Sequence, residues 1–195
     1  SRSSRHEAGS RRQGGFGRLH LIMDFLNPEQ VLNQLELRED MMAADFGCGA
    51  GGWAIPLARK LRMGKVYAVD IQADALEALK TKMEIGKVNN IRPIRADLEM
   101  GLGSSVQNNL LDLVLLTNLL FQAQNKIQII KEAKRVLRPG GQLLVTDWKT
   151  DSSFGPKGNR ISPEETRKMI EELGFKLEKE LAAGQYHWGL LFTKI

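Results

Sequence analysis

Ala43-Ala44-Asp45-Phe46-Gly47-Cys48-Gly49-Ala50-Gly51-Gly52 decides the fold of this chain. Its apolar start reads as the end of a buried strand. An acidic residue, a glycine-rich turn and the start of a helix follow. A nucleotide-like ligand needs that arrangement, because glycines let the backbone come close and a helix N-terminus offers unpaired N–H groups. Asp45 then discriminates between ligands: a carboxylate at the strand end suits a cationic amino group and repels a pyrophosphate.

Outward from this stretch, strands and helices alternate. Met41–Phe46 is the first strand, and Gly52–Leu61 reads as a helix despite Pro56 near its first turn. Lys65–Val69 is a second strand ending at Asp70. Ala73–Met83 places Leu76, Leu79 and Met83 at helical spacing. Ile91–Ala96 and Leu110–Leu116 are the third and fourth strands. Ile127–Leu137 is helical and stops at the turn Arg138-Pro139-Gly140-Gly141, before a fifth strand, Gln142–Thr146.

A loop rich in Asp, Ser, Gly and Pro runs from Thr150 to Asn159. Ser162-Pro163-Glu164-Glu165 has the form of a capping box and opens a helix that ends at Gly174. Upstream, Asn27-Pro28-Glu29 is a helix start, with Asn as cap and Pro at the first helical position. The last two strands, Lys176–Leu181 and Trp188–Lys194, have no helix between them and should pair as a hairpin at one edge. The expectation is an α/β fold: a doubly wound, Rossmann-like sheet, mostly parallel, with a C-terminal antiparallel hairpin strand.

Composition narrows the class. With 42% hydrophobic and 26% charged residues over 195 positions, the chain reads as one globular domain with a substantial core. No apolar run reaches the roughly 18 residues of a membrane span. A single cysteine, Cys48, excludes an internal disulfide and leaves no cluster for zinc. A reducing, cytoplasmic setting is the expectation.

The net charge of +5 is concentrated at one end. Five arginines and a single glutamate in residues 1–22 supply four of the five charges. Residues 1–22 therefore read as a flexible basic leader, too poor in apolar groups to order themselves, and residues 23–195 as the folded domain. That domain is nearly neutral, which argues against the broad basic surface that nucleic-acid binding needs.

Four strand ends carry candidate site residues: Asp45 with Gly47, Gly49 and Gly51, then Asp70, Asp97 and Asn118. In a parallel sheet these ends share one edge, where ligands bind. Gly47, Gly49 and Gly52 also satisfy G-x-G-x-x-G, the fingerprint of dinucleotide dehydrogenases. Asp45 counts against a pyrophosphate there, and no second domain of the usual size remains to hold a hydride acceptor.

From about Asn27 to Ile195 the set resembles the class I S-adenosylmethionine-dependent methyltransferases. Asp45-Phe46-Gly47-Cys48-Gly49-Ala50-Gly51 looks like their first motif, Val66–Asp70 their second and Ala96-Asp97-Leu98 their third. Leu113–Asn118 fits their fourth strand, and Leu137–Gly141 the turn before their fifth. The likeness is to small members related to ubiquinone- and menaquinone-biosynthesis enzymes.

The resemblance implies S-adenosyl-L-methionine as cofactor, with no metal, and in-line methyl transfer to a small-molecule acceptor. It implies that Asp45 holds the methionine ammonium and that backbone at Gly47, Gly49 and Gly51 packs against methionine and ribose. Asp70 would take the ribose hydroxyls with Ile71 beside it, Ala96, Asp97 and Leu98 would border adenine, and Asn118 would join the cofactor-binding set. The alternative is an RNA or protein acceptor reached by the basic arm. Against it, residues 118–121 read Asn-Leu-Leu-Phe rather than the Asn-Pro-Pro-Tyr type of nitrogen-methylating relatives.

No residue is assigned as general base; His20 is the weak candidate. Trp148 should border the substrate opening, and Tyr186-His187-Trp188 reads as structural. Cys48 reads as a small filler in the loop; its place on the ligand side also offers it to thiol reagents, and no partner His points to nucleophilic catalysis.

Overall fold

The computed structural model describes residues 25–101 and 103–195. The basic leader and His20 lie outside them. The elements are α1 (Pro28–Leu32), β1 (Met42–Phe46), α2 (Ala54–Lys60), β2 (Lys65–Asp70), α3 (Ala73–Gly86), β3 (Ile91–Arg95), β4 (Leu111–Thr117), α4 (Lys126–Val136), β5 (Leu137–Trp148), α5 (Pro163–Glu172), β6 (Phe175–Leu181) and β7 (His187–Lys194). Among the described residues, no helix is long and apolar enough to cross a membrane.

One seven-stranded sheet runs in the order β3-β2-β1-β4-β5-β7-β6. β1 pairs in parallel with β2 and β4, β2 with β3, and β4 with β5. β7 is antiparallel to both β5 and β6, so the hairpin closes one edge. From β1 the chain winds outward to β3, then crosses back to β4. The tips of β1 and β4 therefore flank the switch point at which open α/β sheets bind ligands.

Both sheet faces are buried, which is why β4 is almost wholly apolar. Val31 and Leu32 of α1, Leu57 of α2 and Leu79 of α3 pack on one face with Ala43, Leu113 and Leu144. Ile130 and Val136 of α4 and Ile170 of α5 pack on the other with Phe46, Val114 and Phe192. Helix starts follow their caps: Asn27 accepts from the amide of Gln30, and Ser162 from that of Glu165.

Two local expectations change. Arg138–Gly141 is not a turn ahead of the fifth strand but a bulge inside it. The pairing steps from Leu111↔Leu137 to Leu113↔Gln142, with Gly140 at φ +76°. Arg138 then reaches Asp112 at 2.6 Å, whose other oxygen accepts the Met42 amide at 2.8 Å. And α2 starts at Ala54 rather than Gly52, because the Gly51 amide is spent on the Cys48 carbonyl, closing a turn first.

The β3–β4 connection is long and shows no helix among its described residues. Glu132 of α4, 1% exposed, anchors it by accepting the Ser104 amide at 3.1 Å while pairing with Arg135 at 2.7 Å. Burial alone would raise the Glu132 pKa; hydrogen bonds from Arg135 and Ser104 outweigh it and hold the group below its ordinary value.

The outer strand β3 carries Arg92, Pro93 and Arg95. Its neighbour is β2 alone.

Candidate active site

The site is built from the tips of β1, β2 and β3 and the segment after β4. Asp45, one residue before the end of β1, lies between Ala68 and Leu115 in register, on the Ala43 face. It is 0% exposed, and neither oxygen has a partner of hydrogen-bond geometry. Burial pushes its pKa up to about 7; the charge of Asp70 adds to this, and the Ala54 amide offsets only part.

The glycine turn folds back over the end of β2. The Gly47 and Cys48 amides donate to the Val69 carbonyl at 2.8 and 3.0 Å, and the Gly49 amide donates to Asp70 Oδ2 at 2.8 Å. These turn amides are thus engaged within the fold, and what the turn offers a ligand is its close backbone approach. Glycine is required at position 51 on two counts: φ is +90°, and a Cβ there would run into Leu79. Gly47, at φ +73°, lies so close to Leu119 that an added Cβ would sit 2.8 Å from its Cδ1.

Asp70 ends β2 and accepts one amide on each oxygen, Gly49 on Oδ2 and Gln72 on Oδ1 at 2.9 Å. Each oxygen keeps lone-pair capacity for a further donor. Ile71, next to it, is 53% exposed, which is unusual for an isoleucine and leaves an apolar face toward the opening. The Ala96 amide donates to the Asp70 carbonyl at 3.0 Å, joining the tips of β2 and β3, and Asp97 accepts the Glu99 amide at 2.9 Å.

A cleft of about 260 Å³ lies among these groups. It brings together Gly47, Asp70, Ile71, Ala96, Asp97 and Leu98 of the residues expected from sequence. Asp45, Gly49, Gly51 and Asn118 are not in its lining. Asp45 is buried behind it, close enough to feel the charge of Asp70. Gly49 and Gly51 shape the turn. Asn118 follows the last residue of β4 at φ +50°, with its Oδ1 buried and unpartnered.

Gln72, Glu99, Leu119, Gln122, Ala123 and Ile129 complete the lining and were not singled out as site residues from the sequence.

Three further expectations can be placed. Cys48 is buried, and its pKa is pushed well above the ordinary thiol range by burial first, then by Asp45 and Asp70. A thiolate there is disfavoured, which fits a small filler of the loop and speaks against a ready target for thiol reagents. Trp148 is not a free platform: His187 stacks at 4.0 Å between ring centroids, the Arg160 guanidinium stands 5.8 Å from its ring, and Gly155 backbone presses on it. His187 is buried and uncharged; burial, then Arg160 and Lys149, lower its pKa to about 4.

Arg160 holds the loop above Trp148 by donating to the carbonyls of Lys149, Ser152, Phe154 and Pro156 at 2.6–3.0 Å. Beside it Phe25, Phe154 and Tyr186 form an aromatic cluster with centroids 5.0–5.7 Å apart.

A cleft at the switch point, an acidic residue at each of three neighbouring strand tips and the 3-2-1-4-5-7-6 strand order together define a class I S-adenosylmethionine-dependent methyltransferase. Residues 43–141 match the model of a methyltransferase-domain family, and the chain belongs to that family. The cofactor of the class is S-adenosyl-L-methionine.

A methyltransferase structure from Aquifex aeolicus superposes with a TM-score of 0.81 over 92% of this chain and 96% of its own, at 23% identity. A demethylmenaquinone methyltransferase of Staphylococcus saprophyticus is 26% identical over 144 residues, covering 71% of this chain and 60% of that protein. One from Lactiplantibacillus plantarum is 31% identical over 117 residues, covering 60% and 48%. The chain thus spans about half to three-fifths of these curated relatives.

The residues present fit the cofactor. The orphaned, buried carboxylate of Asp45 awaits a cation, and Asp70 has acceptor capacity for a diol.

Proposed function

We propose that the chain transfers the methyl group of S-adenosyl-L-methionine to a small-molecule acceptor by in-line displacement. The observation that carries this reading is the buried, unpartnered Asp45 behind a cleft edged by Asp70 and Asp97. An isolated buried carboxylate is costly unless a cation meets it, and an α-ammonium group is such a cation.

When bound, the sulfonium supplies an electrophilic methyl group. The protein's part is to bind and orient. Asp45 takes the ammonium and is held ionised by it, since an opposite charge reverses the effect of burial. Asp70 accepts from both ribose hydroxyls. Ile71 and Leu98 flank the adenine, with Asp97 at its edge. Leu119, against Gly47, excludes water from the donor end. Positioning donor and acceptor in line contributes several kcal/mol to such a reaction.

Support for an apolar or aromatic acceptor comes from the cluster of Phe25, Phe154 and Tyr186 beside the β5 tip. Demethylmenaquinone, after which the similar Staphylococcus saprophyticus enzyme is named, is one acceptor of this kind to try.

Calorimetric titration with S-adenosylhomocysteine and with NAD tests the cofactor. Micromolar binding of the first and none of the second is expected; the reverse overturns the reading. A screen of small molecules for methylated products, with the chain truncated before Met23, tests the acceptor. Loss of all activity on truncation, together with methylation of RNA or protein by the full chain, would replace the small-molecule acceptor by the arm-guided one.

A further inference from the structure

Residues 118–125, between β4 and α4, form one wall of the cleft through Leu119, Gln122 and Ala123. The Gln122 and Ala123 amides donate to the Leu119 and Leu120 carbonyls within the segment, whereas those of Phe121, Gln124 and Asn125 need partners from elsewhere. Two carboxylates supply them, from opposite sides.

From the β3 side Glu99 accepts the amides of Gln124 and Asn125 at 3.3 and 2.7 Å. From the β5 side Asp147, 0% exposed, accepts the Phe121 amide on Oδ2 at 3.0 Å and its neighbour Trp148's amide on Oδ1 at 2.8 Å. Ahead of both holds the wall is tied to β5 by the Asn118 amide, which donates to the Thr146 carbonyl at 2.9 Å. Gln122 braces it internally, donating to the Asn118 carbonyl at 3.0 Å.

Glu99 belongs to the cleft lining; Asp147 does not. Nor does any step of the reaction above use Asp147. Yet a carboxylate is kept there at the cost of complete burial, with only main-chain amides as hydrogen-bond partners. Charge-assisted bonds of this type are short and strong, which suits the holding of a segment in one place.

We propose that Asp147 is a positioning residue for methyl transfer: through the Phe121 amide it fixes the wall carrying Asn118 and Leu119 at the donor end of the cleft. The wall is thereby coupled to the tip of β5, which also carries Trp148 beneath the 149–160 loop. A movement of that tip on acceptor entry is passed to the cofactor side through the Phe121–Asp147 hydrogen bond, beside the Asn118–Thr146 one. This inference rests on the methyl-transfer reading.

The experiment compares the wild type with Asp147→Ala and Asp147→Asn, and with Thr166→Val as a control in which a buried polar group is removed from α5. Hydrogen exchange is followed by mass spectrometry, and S-adenosylhomocysteine affinity by calorimetry. For Asp147→Ala the amides of residues 119–123 should exchange at least tenfold faster while those of β1 and β4 keep their protection. Affinity should fall about tenfold or more, as expected for loss of a hydrogen bond to a charged group. Asp147→Asn, which can still accept one amide, should lie between, and Thr166→Val should change neither.

Wild-type binding with unchanged wall exchange or unchanged affinity in both Asp147 variants overturns the role of Asp147 alone. So does a uniform loss of protection across the sheet in both variants. No binding by the wild type overturns the methyl-transfer reading and this one with it.

Discussion

Asp45 and Asp70 stand at adjacent strand tips and repel each other: the charge of Asp70 adds to burial in raising Asp45 to a pKa of about 7. Asp70 accepts two amides, whereas Asp45 has no partner of hydrogen-bond geometry. The free protein therefore holds Asp45 at the edge of ionisation.

Asp45→Asn should stabilise the free protein at neutral pH. In the unfolded chain the group ionises near 3.8, in the fold only near 7. Between these values the unfolded state gains a charge that the fold resists, so this residue's contribution to stability falls as pH rises from about 4 to 7 and is flat above. The full difference is on the order of 4 kcal/mol. Thermal unfolding of both proteins at pH 5 and pH 8 checks it: the variant's advantage should be larger at pH 8. Its affinity for S-adenosylhomocysteine should fall at the same time.

His187 acts with the opposite sign. Its folded pKa is lowered from 6.5 to about 4, so the stability it contributes is complete above 6.5 and is lost as pH falls toward 4. A His187→Gln variant should lose less stability than the wild type between pH 7 and pH 4.5 in urea titrations.

Asp70→Ala should weaken S-adenosylhomocysteine binding by about 1.5–3 kcal/mol, the range for a hydrogen bond to a charged group, with the fold retained. Loss of the Gly49 and Gln72 amide contacts adds to the effect. Calorimetry beside circular dichroism separates the two; an unchanged affinity would place the ribose elsewhere.

Gly51→Ala should destabilise the protein by about 1–3 kcal/mol, from a side chain at positive φ and the clash with Leu79. Urea unfolding measures it. Cys48 should resist a neutral thiol reagent at pH 8 in the native protein and react at once in guanidinium.

The strands and the acidic tips were legible because their signals are local: apolar runs broken by glycine or an acid at β1 and β2, and caps at Asn27 and Ser162. The parallel order then follows from the alternation of helix and strand. What remained hidden depends on pairs distant in sequence. Nothing near Glu99 announces that it will accept from Asn125, and nothing near Asp147 points to Phe121, until the sheet brings their tips together. Cys48 is the small filler read from the sequence; only its exposure to thiol reagents was misjudged, for a related reason, since its thiol is silenced by Asp45 and Asp70 as well as by burial. The bulge at Arg138–Gly141 was read as a turn because glycine and proline mark both, and only the pairing of Asp112 with Arg138 distinguishes them.

The outer strand β3 has a consequence for how copies of this protein meet. Pro93 contributes no N–H to that margin, and Arg92 and Arg95 lie to either side of it. A foreign strand seeking a template finds a missing rung and two charges, so accretion into a larger ribbon is discouraged beside the cofactor cleft.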